Sequence, residues 1–228
     1  MVAVTTVAAN IESLRARIAA AAERSGREAS AVRLVGASAT SKGVTDEMVL
    51  AALDAGLRDF GENYVQEAQQ RIASLGAHAS EATWHFIGHL QSNKAGVAAA
   101  LFDMIESVDS LKLAQALSRR AEKRLRVLLE VNVSGEASKH GLATSAVAET
   151  IAAAGALPNI DLVGLMTMAP EVDDAEQTRP VFRTLRELAE ANDLRELSMG
   201  MTNDFEVAVE EGATMVRIGR ALFAGKPR

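Results

Sequence analysis

The chain has 228 residues, 48% hydrophobic but only 4% aromatic, and a net charge of −6. An aliphatic core of this size suits one domain over residues 1–228, and an acidic chain with no basic block argues against nucleic acid and anionic membranes as main partners. The absence of cysteine excludes disulfides, thiolate nucleophiles and Cys-ligated metals and fits a cytoplasmic location, while the N-terminus lacks a signal-peptide pattern and no apolar run is long enough to span a bilayer.

Residues 5–25 are expected as one helix, with Ile11, Leu14 and Ile18 at helical spacing and Gly26 as its stop. The chain then alternates. Strands are expected over 32–38, 58–61, 83–87, 102–108, 126–133 and 160–166. Helices follow them over 45–55, 63–75, 91–101, 110–123, 144–154 and 174–192, the last interrupted near Pro180. Two further strand–turn–helix units close the series over 197–225. Alternation of this kind implies a parallel sheet. About eight pairs imply an α/β fold with a single TIM-type (β/α)8 barrel and an extra N-terminal helix. An open doubly wound sheet is the runner-up.

In a barrel the chemistry belongs at the C-terminal ends of the strands. The last two units each offer a glycine-containing turn before a helix, around Gly200 and around Gly219 with Arg220, and such turns favour an anion. The pattern therefore predicts a phosphate site there, with Asn203 or Asp204 as the helix cap. Asn63, His85 and His89 also fall at strand ends, although each has an ordinary reading as a cap or a satisfied histidine. Arg217 lies between Val216 and Ile218, where a charge needs a partner or a ligand. HExxH, Walker A and dinucleotide fingerprints are absent. With no carboxylate cluster evident in the sequence, no built-in metal is expected.

Five segments carry a resemblance: FGENYVQEA (60–68), WHFIGHLQSNKA (84–95), VNVSGEASKHGL (131–142), GLMTMAP (164–170) and LSMGMTNDFEVAVEEGATMVRIG (197–219). Together they resemble the pyridoxal phosphate homeostasis protein family, which includes YggS and the PLP-binding protein. The resemblance implies a barrel like the N-terminal domain of alanine racemase that binds pyridoxal 5′-phosphate (PLP) without established turnover. It further implies Ser198 and Thr202 as hydroxyl donors to the phosphate, with backbone N–H groups near Gly200, Gly219 and Arg220. Arg217 resembles the arginine that meets the pyridine nitrogen. Asn63 and His85 are implied as ring-lining residues, and Met166 and Met199 as packing on the ring, although core packing explains these methionines equally well.

One departure stands out. Where this family carries the lysine that forms a Schiff base with the coenzyme, in a serine-lysine-threonine type sequence, this chain reads Ser38-Ala39-Thr40. Lys42 comes three residues later, some 10 Å along an extended chain. The resemblance therefore implies a variant, engineered or natural, that holds PLP or free phosphate non-covalently, with no catalytic residue. The leading expectation is a PLP carrier or buffer that supplies PLP-dependent apoenzymes. A PLP-dependent amino-acid racemase and a barrel enzyme acting on a phosphorylated metabolite are the alternatives.

Overall fold

The computed structural model describes residues 2–38, 43–136 and 139–223. Ala39 and Lys42 therefore lie outside the described residues. Eight parallel strands close into a barrel in chain order: β1 (Arg33–Ala37), β2 (Asp59–Glu62), β3 (Thr83–Phe86), β4 (Met104–Val108), β5 (Leu125–Glu130), β6 (Ile160–Met166), β7 (Glu196–Ser198) and β8 (Met215–Ile218). β8 pairs with β1 through Arg33–Met215 and Val35–Arg217, which completes the closure. The expected α/β barrel is the fold observed.

Strand alternation sorts the side chains into two environments. On β5, Leu125, Val127 and Leu129 join the large outer core, whereas Leu128 faces inward with Val35, Met104, Met166 and Met215. On β1, Leu34 packs outward while Val35 faces inward. At the end of that strand Ser38 hydrogen-bonds the buried Glu62, whose carboxylate also accepts from Arg71 at 3.0 Å. Arg71 lies on α3 (Val65–Leu75), so Ser38 is turned toward the helical shell.

The remaining helices are α2 (Asp46–Asp54), α4 (Ala95–Leu101), α5 (Leu111–Arg120), α6 (Val147–Gly155), α7 (Arg179–Glu190), α8 (Phe205–Glu210) and α9 (Arg220–Phe223), with the leading helix α1 (Val2–Arg24) ahead of them. Ser110 caps α5 as expected, accepting from the Leu113 N–H at 3.3 Å. Pro180 falls in the first turn of α7, where its missing N–H costs nothing. The expected 174–192 helix accordingly splits into a 3₁₀ turn and α7.

Helix α1 is outside the strand–helix repeat but is part of the packed shell. Ile11, Leu14 and Ile18 are buried along one face. α1 lies against α2, α8 and α9. Arg17 reaches Glu206 at 3.0 Å, Arg24 reaches Glu210 at 2.6 Å, and Asn10 donates to the Leu222 carbonyl at 2.9 Å. α8 has six residues, and α1 packs beside it over this sector of the barrel.

Candidate functional site at the barrel mouth

A cavity of about 320 Å³ opens at the C-terminal ends of the strands, near the low end of the ~300–1,000 Å³ usual for ligand sites. Ala37, Asn63 and Ile87 form one side, and Met168 to Val172 with Ala175 the other. The two C-terminal turns bring Met201 to Asp204, Gly219 and Arg220 to its edge, and Arg217 reaches it from within the barrel.

Turn geometry positions the edge. Gly200 has φ +94°, and a Cβ there would stand 2.5 Å from the Ala208 Cβ, so a glycine is required where the chain leaves β7. Asp204 is the residue before α8, but its carboxylate accepts from the Met201 N–H at 2.6 Å. It therefore closes the Met201–Asp204 turn and makes no side-chain hydrogen bond to the first turn of the helix, a correction to its expected role as the cap. The turn presents Thr202 and Asn203 to the cavity. Burial pushes the Asp204 carboxyl up, while the Met201 N–H and Arg217 pull against that.

Arg217 is 5% exposed, and its guanidinium is spoken for on several sides. Nη1 donates to Ser198 Oγ at 2.5 Å and lies 3.9 Å from Glu106 Oε2, while Nη2 donates to the Thr167 carbonyl at 3.0 Å. Ser198 Oγ in turn donates to Glu106 Oε2 at 2.5 Å. The other Glu106 oxygen meets His85 Nδ1 at 2.6 Å, and His85 Nε2 meets Asp59 Oδ1 at 3.0 Å. A continuous polar chain thus runs up the barrel interior from Asp59 to Arg217. Burial alone would lower the His85 pKa, but hydrogen bonds and charge from Asp59 and Glu106 outweigh it and lift the imidazole to about 9. Burial likewise pushes Glu106 up, and His85, Arg217 and Ser198 together hold it below the ordinary range. At neutral pH the His85 imidazolium and the Arg217 guanidinium thus flank the Glu106 carboxylate.

The expected site residues fall into two groups. Asn63, Thr202, Arg217, Gly219 and Arg220 line the cavity. Ser198 and His85 do not. Both are fully buried, and their polar atoms are engaged in the interior chain. Ser198 touches the cavity only through Arg217, which corrects its expected place as a direct phosphate donor. Met199 is also misplaced by the sequence. The three-residue strand β7 turns Ser198 inward, so Met199, the residue after it, packs into the outer core, away from the mouth. Met166 faces the barrel interior. Gly200 shapes the turn through its backbone. Ala39 follows the last described residue of its segment.

The carboxylates of the interior went unrecognised in the sequence. Asp59, Glu106, Glu130 and Glu196 sit on four different strands, and His85 joins Asp59 and Glu106 across the barrel. At the strand starts Glu196 binds Arg33 at 2.7 Å and Arg126 at 3.4 Å.

The family described as alanine racemase, N-terminal domain, matches residues 9–227. The pyridoxal phosphate homeostasis protein of Pseudomonas aeruginosa is 44% identical over 227 residues, covering 97% of this chain and 96% of that protein. A solved structure described as an unknown protein from Bifidobacterium adolescentis superposes with a TM-score of 0.90 at 39% identity, covering 97% and 96% of the two chains. PipY of Synechococcus elongatus, solved with PLP bound, superposes with a TM-score of 0.80 at 33% identity, covering 95% of this chain and 99% of its own.

Proposed function

We infer that the cavity binds pyridoxal 5′-phosphate and takes part in its homeostasis without turning it over, because the chain belongs to the pyridoxal phosphate homeostasis proteins within the family of the alanine racemase N-terminal domain. The observation that carries the reading is the donor set at the mouth. Thr202, Asn203 and the backbone of Gly219 and Arg220 gather where a phosphate would sit, and the buried Arg217 cation lies below them. The apolar walls Ala37, Ile87 and Met168 suit an aromatic ring between these polar ends.

When bound, PLP supplies an aldehyde and an electron-withdrawing pyridine ring. The residues of this chain do three things to it. The two C-terminal turns hold the phosphate. Arg217, fixed by Ser198, Glu106 and Thr167, would offer a permanent cation to the ring nitrogen and keep that atom unprotonated, which would weaken the ring as an electron sink. The described lining offers two carboxyls, Glu171 and Asp204, and no lysine, histidine or tyrosine; Asp204 is engaged by the Met201 N–H, whereas racemisation needs an acid or base on each face of the reacting carbon. Tyr64, the chain's one tyrosine, is 58% exposed and outside the lining. Position 39, an alanine, carries no amine to trap the aldehyde. Residence is therefore reversible, as suits a cytoplasmic carrier that passes the coenzyme to PLP-dependent apoenzymes.

Calorimetric titration with PLP tests this reading. One saturable site, competed by inorganic phosphate, with no racemisation or transamination of amino acids, is the expected result. Failure to bind PLP, or sustained turnover lost on mutating Arg217, overturns it.

A further inference from the structure

Across the mouth from the phosphate turns, three consecutive strand-to-helix connections bring two histidines and an aspartate together. His89 follows β3, Asp109 follows β4 directly, and His140 lies on the connection after β5. The two imidazole rings stack at 3.9 Å between centroids and 14° between planes. His89 Nδ1 stands 3.3 Å from Asp109 Oδ2, and one donor atom from each of the three residues lies within 4.8 Å of the others. None of the three lines the coenzyme cavity.

We propose that His89, Asp109 and His140 form a binding site for a divalent transition cation of the zinc class. A tetrahedral zinc with bonds of ~2.0–2.2 Å sets its donors about 3.3 Å apart. The His89–Asp109 pair already has that spacing, and the partly exposed rings have rotamer freedom to close the remainder. Two imidazoles and one carboxylate select zinc, nickel or copper over magnesium and calcium, which demand oxygen cages. One further feature fits a metal better than a surface ion pair. Ser110 Oγ donates to the other Asp109 oxygen at 3.0 Å and so orients the carboxylate from behind. Three protein ligands leave one position open to solvent at the rim.

Coenzyme-free protein stripped with a chelator is titrated with Zn²⁺ by calorimetry, and with Co²⁺ by its visible absorption, in the original chain and in His89→Ala, His140→Ala and Asp109→Asn. One equivalent bound, a Co²⁺ spectrum of nitrogen–oxygen ligation, and affinity about tenfold or more weaker in each variant are expected. His78→Ala, which removes an imidazole remote from the cluster, is expected to leave the titration unchanged. No binding below ~1 mM Zn²⁺, or unchanged affinity in the His89→Ala/His140→Ala double variant with its circular dichroism intact, overturns the proposal and leaves the cluster a stacked His–Asp ion pair.

Discussion

Ser198 and Thr202 show how two hydroxyls four positions apart serve one site by different routes. Thr202 lines the cavity and is half-buried, so Thr202→Ala removes only a contact to the ligand. PLP affinity is expected to fall by about 1–2 kcal/mol, the scale of one hydrogen bond to a charged group, with folding stability changed by less than ~0.5 kcal/mol. Ser198→Ala leaves both Glu106 and Arg217 short of a partner inside the barrel. It is expected to cost about 1–3 kcal/mol of folding stability as well as PLP affinity. Paired urea melts and PLP titrations separate the two. Equal stability loss in both variants would show that the interior chain does not constrain Arg217. A second residue-scale prediction concerns position 39. Val35 faces the barrel interior and Ala37 the cavity, while Ser38 turns outward to Glu62. The resemblance of Ser38-Ala39-Thr40 to the family's serine-lysine-threonine sequence puts the Schiff-base position at residue 39. In Ala39→Lys, borohydride treatment with PLP is expected to leave a covalent adduct on residue 39, read by peptide mapping, and none in the original chain. Stoichiometric trapping on Lys42 in the original chain would defeat this.

At the scale of elements, periodicity carried most of the fold. β6 was expected over 160–166 and is observed as Ile160–Met166. The α1 apolar stripe was equally plain, because helical spacing and burial coincide in Ile11, Leu14 and Ile18. What the periodicity left out is what α1 covers, since nothing local states that α8 would be only six residues long. The site was legible to the same extent. Glycine turns and a lone arginine are local signals, and they mark residues that do line the cavity. The partners of Arg217 are not local. Glu106 is 92 residues from Ser198, and the register that joins them is a property of the closed barrel. Met199 was misplaced because strand phase on three residues is weakly written in sequence. The packing of α1 has a measurable consequence. Leu14 is buried in the outer core, and Leu14→Ala is expected to cost about 2–5 kcal/mol in urea unfolding at neutral pH. A cost below ~1 kcal/mol would mean that α1 is a loosely attached arm.

For the whole molecule, the cost of placing charges inside the barrel appears as a pH dependence of stability. His85 carries the interior shift that reaches the alkaline range. Its pKa is about 9 in the folded protein against an ordinary 6.5. The folded state therefore holds the His85 proton over a range where the unfolded chain has released it. By linkage, the stabilisation is fully present below about pH 6.5 and is lost as the pH rises through about 9. Glu106 contributes with the opposite sign. Its folded pKa is held below 4.5, so its contribution is present above that value and is lost as the pH falls through the folded pKa. Glu130 and Asp204 are raised by burial and oppose Glu106 in the acid range, because they favour the folded state while protonated. The acid limb is thus a partial cancellation, whereas the alkaline limb carries the His85 signature. Unfolding free energies from urea melts between pH 6 and pH 9.5 are expected to decline with pH in the original chain. In His85→Gln, which is neutral at every pH, the decline is expected to be shallower, with the whole curve lowered because Asp59 and Glu106 lose a cation between them. The two curves should therefore converge toward high pH. Parallel curves across this range would place the alkaline titration elsewhere and show His85 to be neutral in the folded barrel.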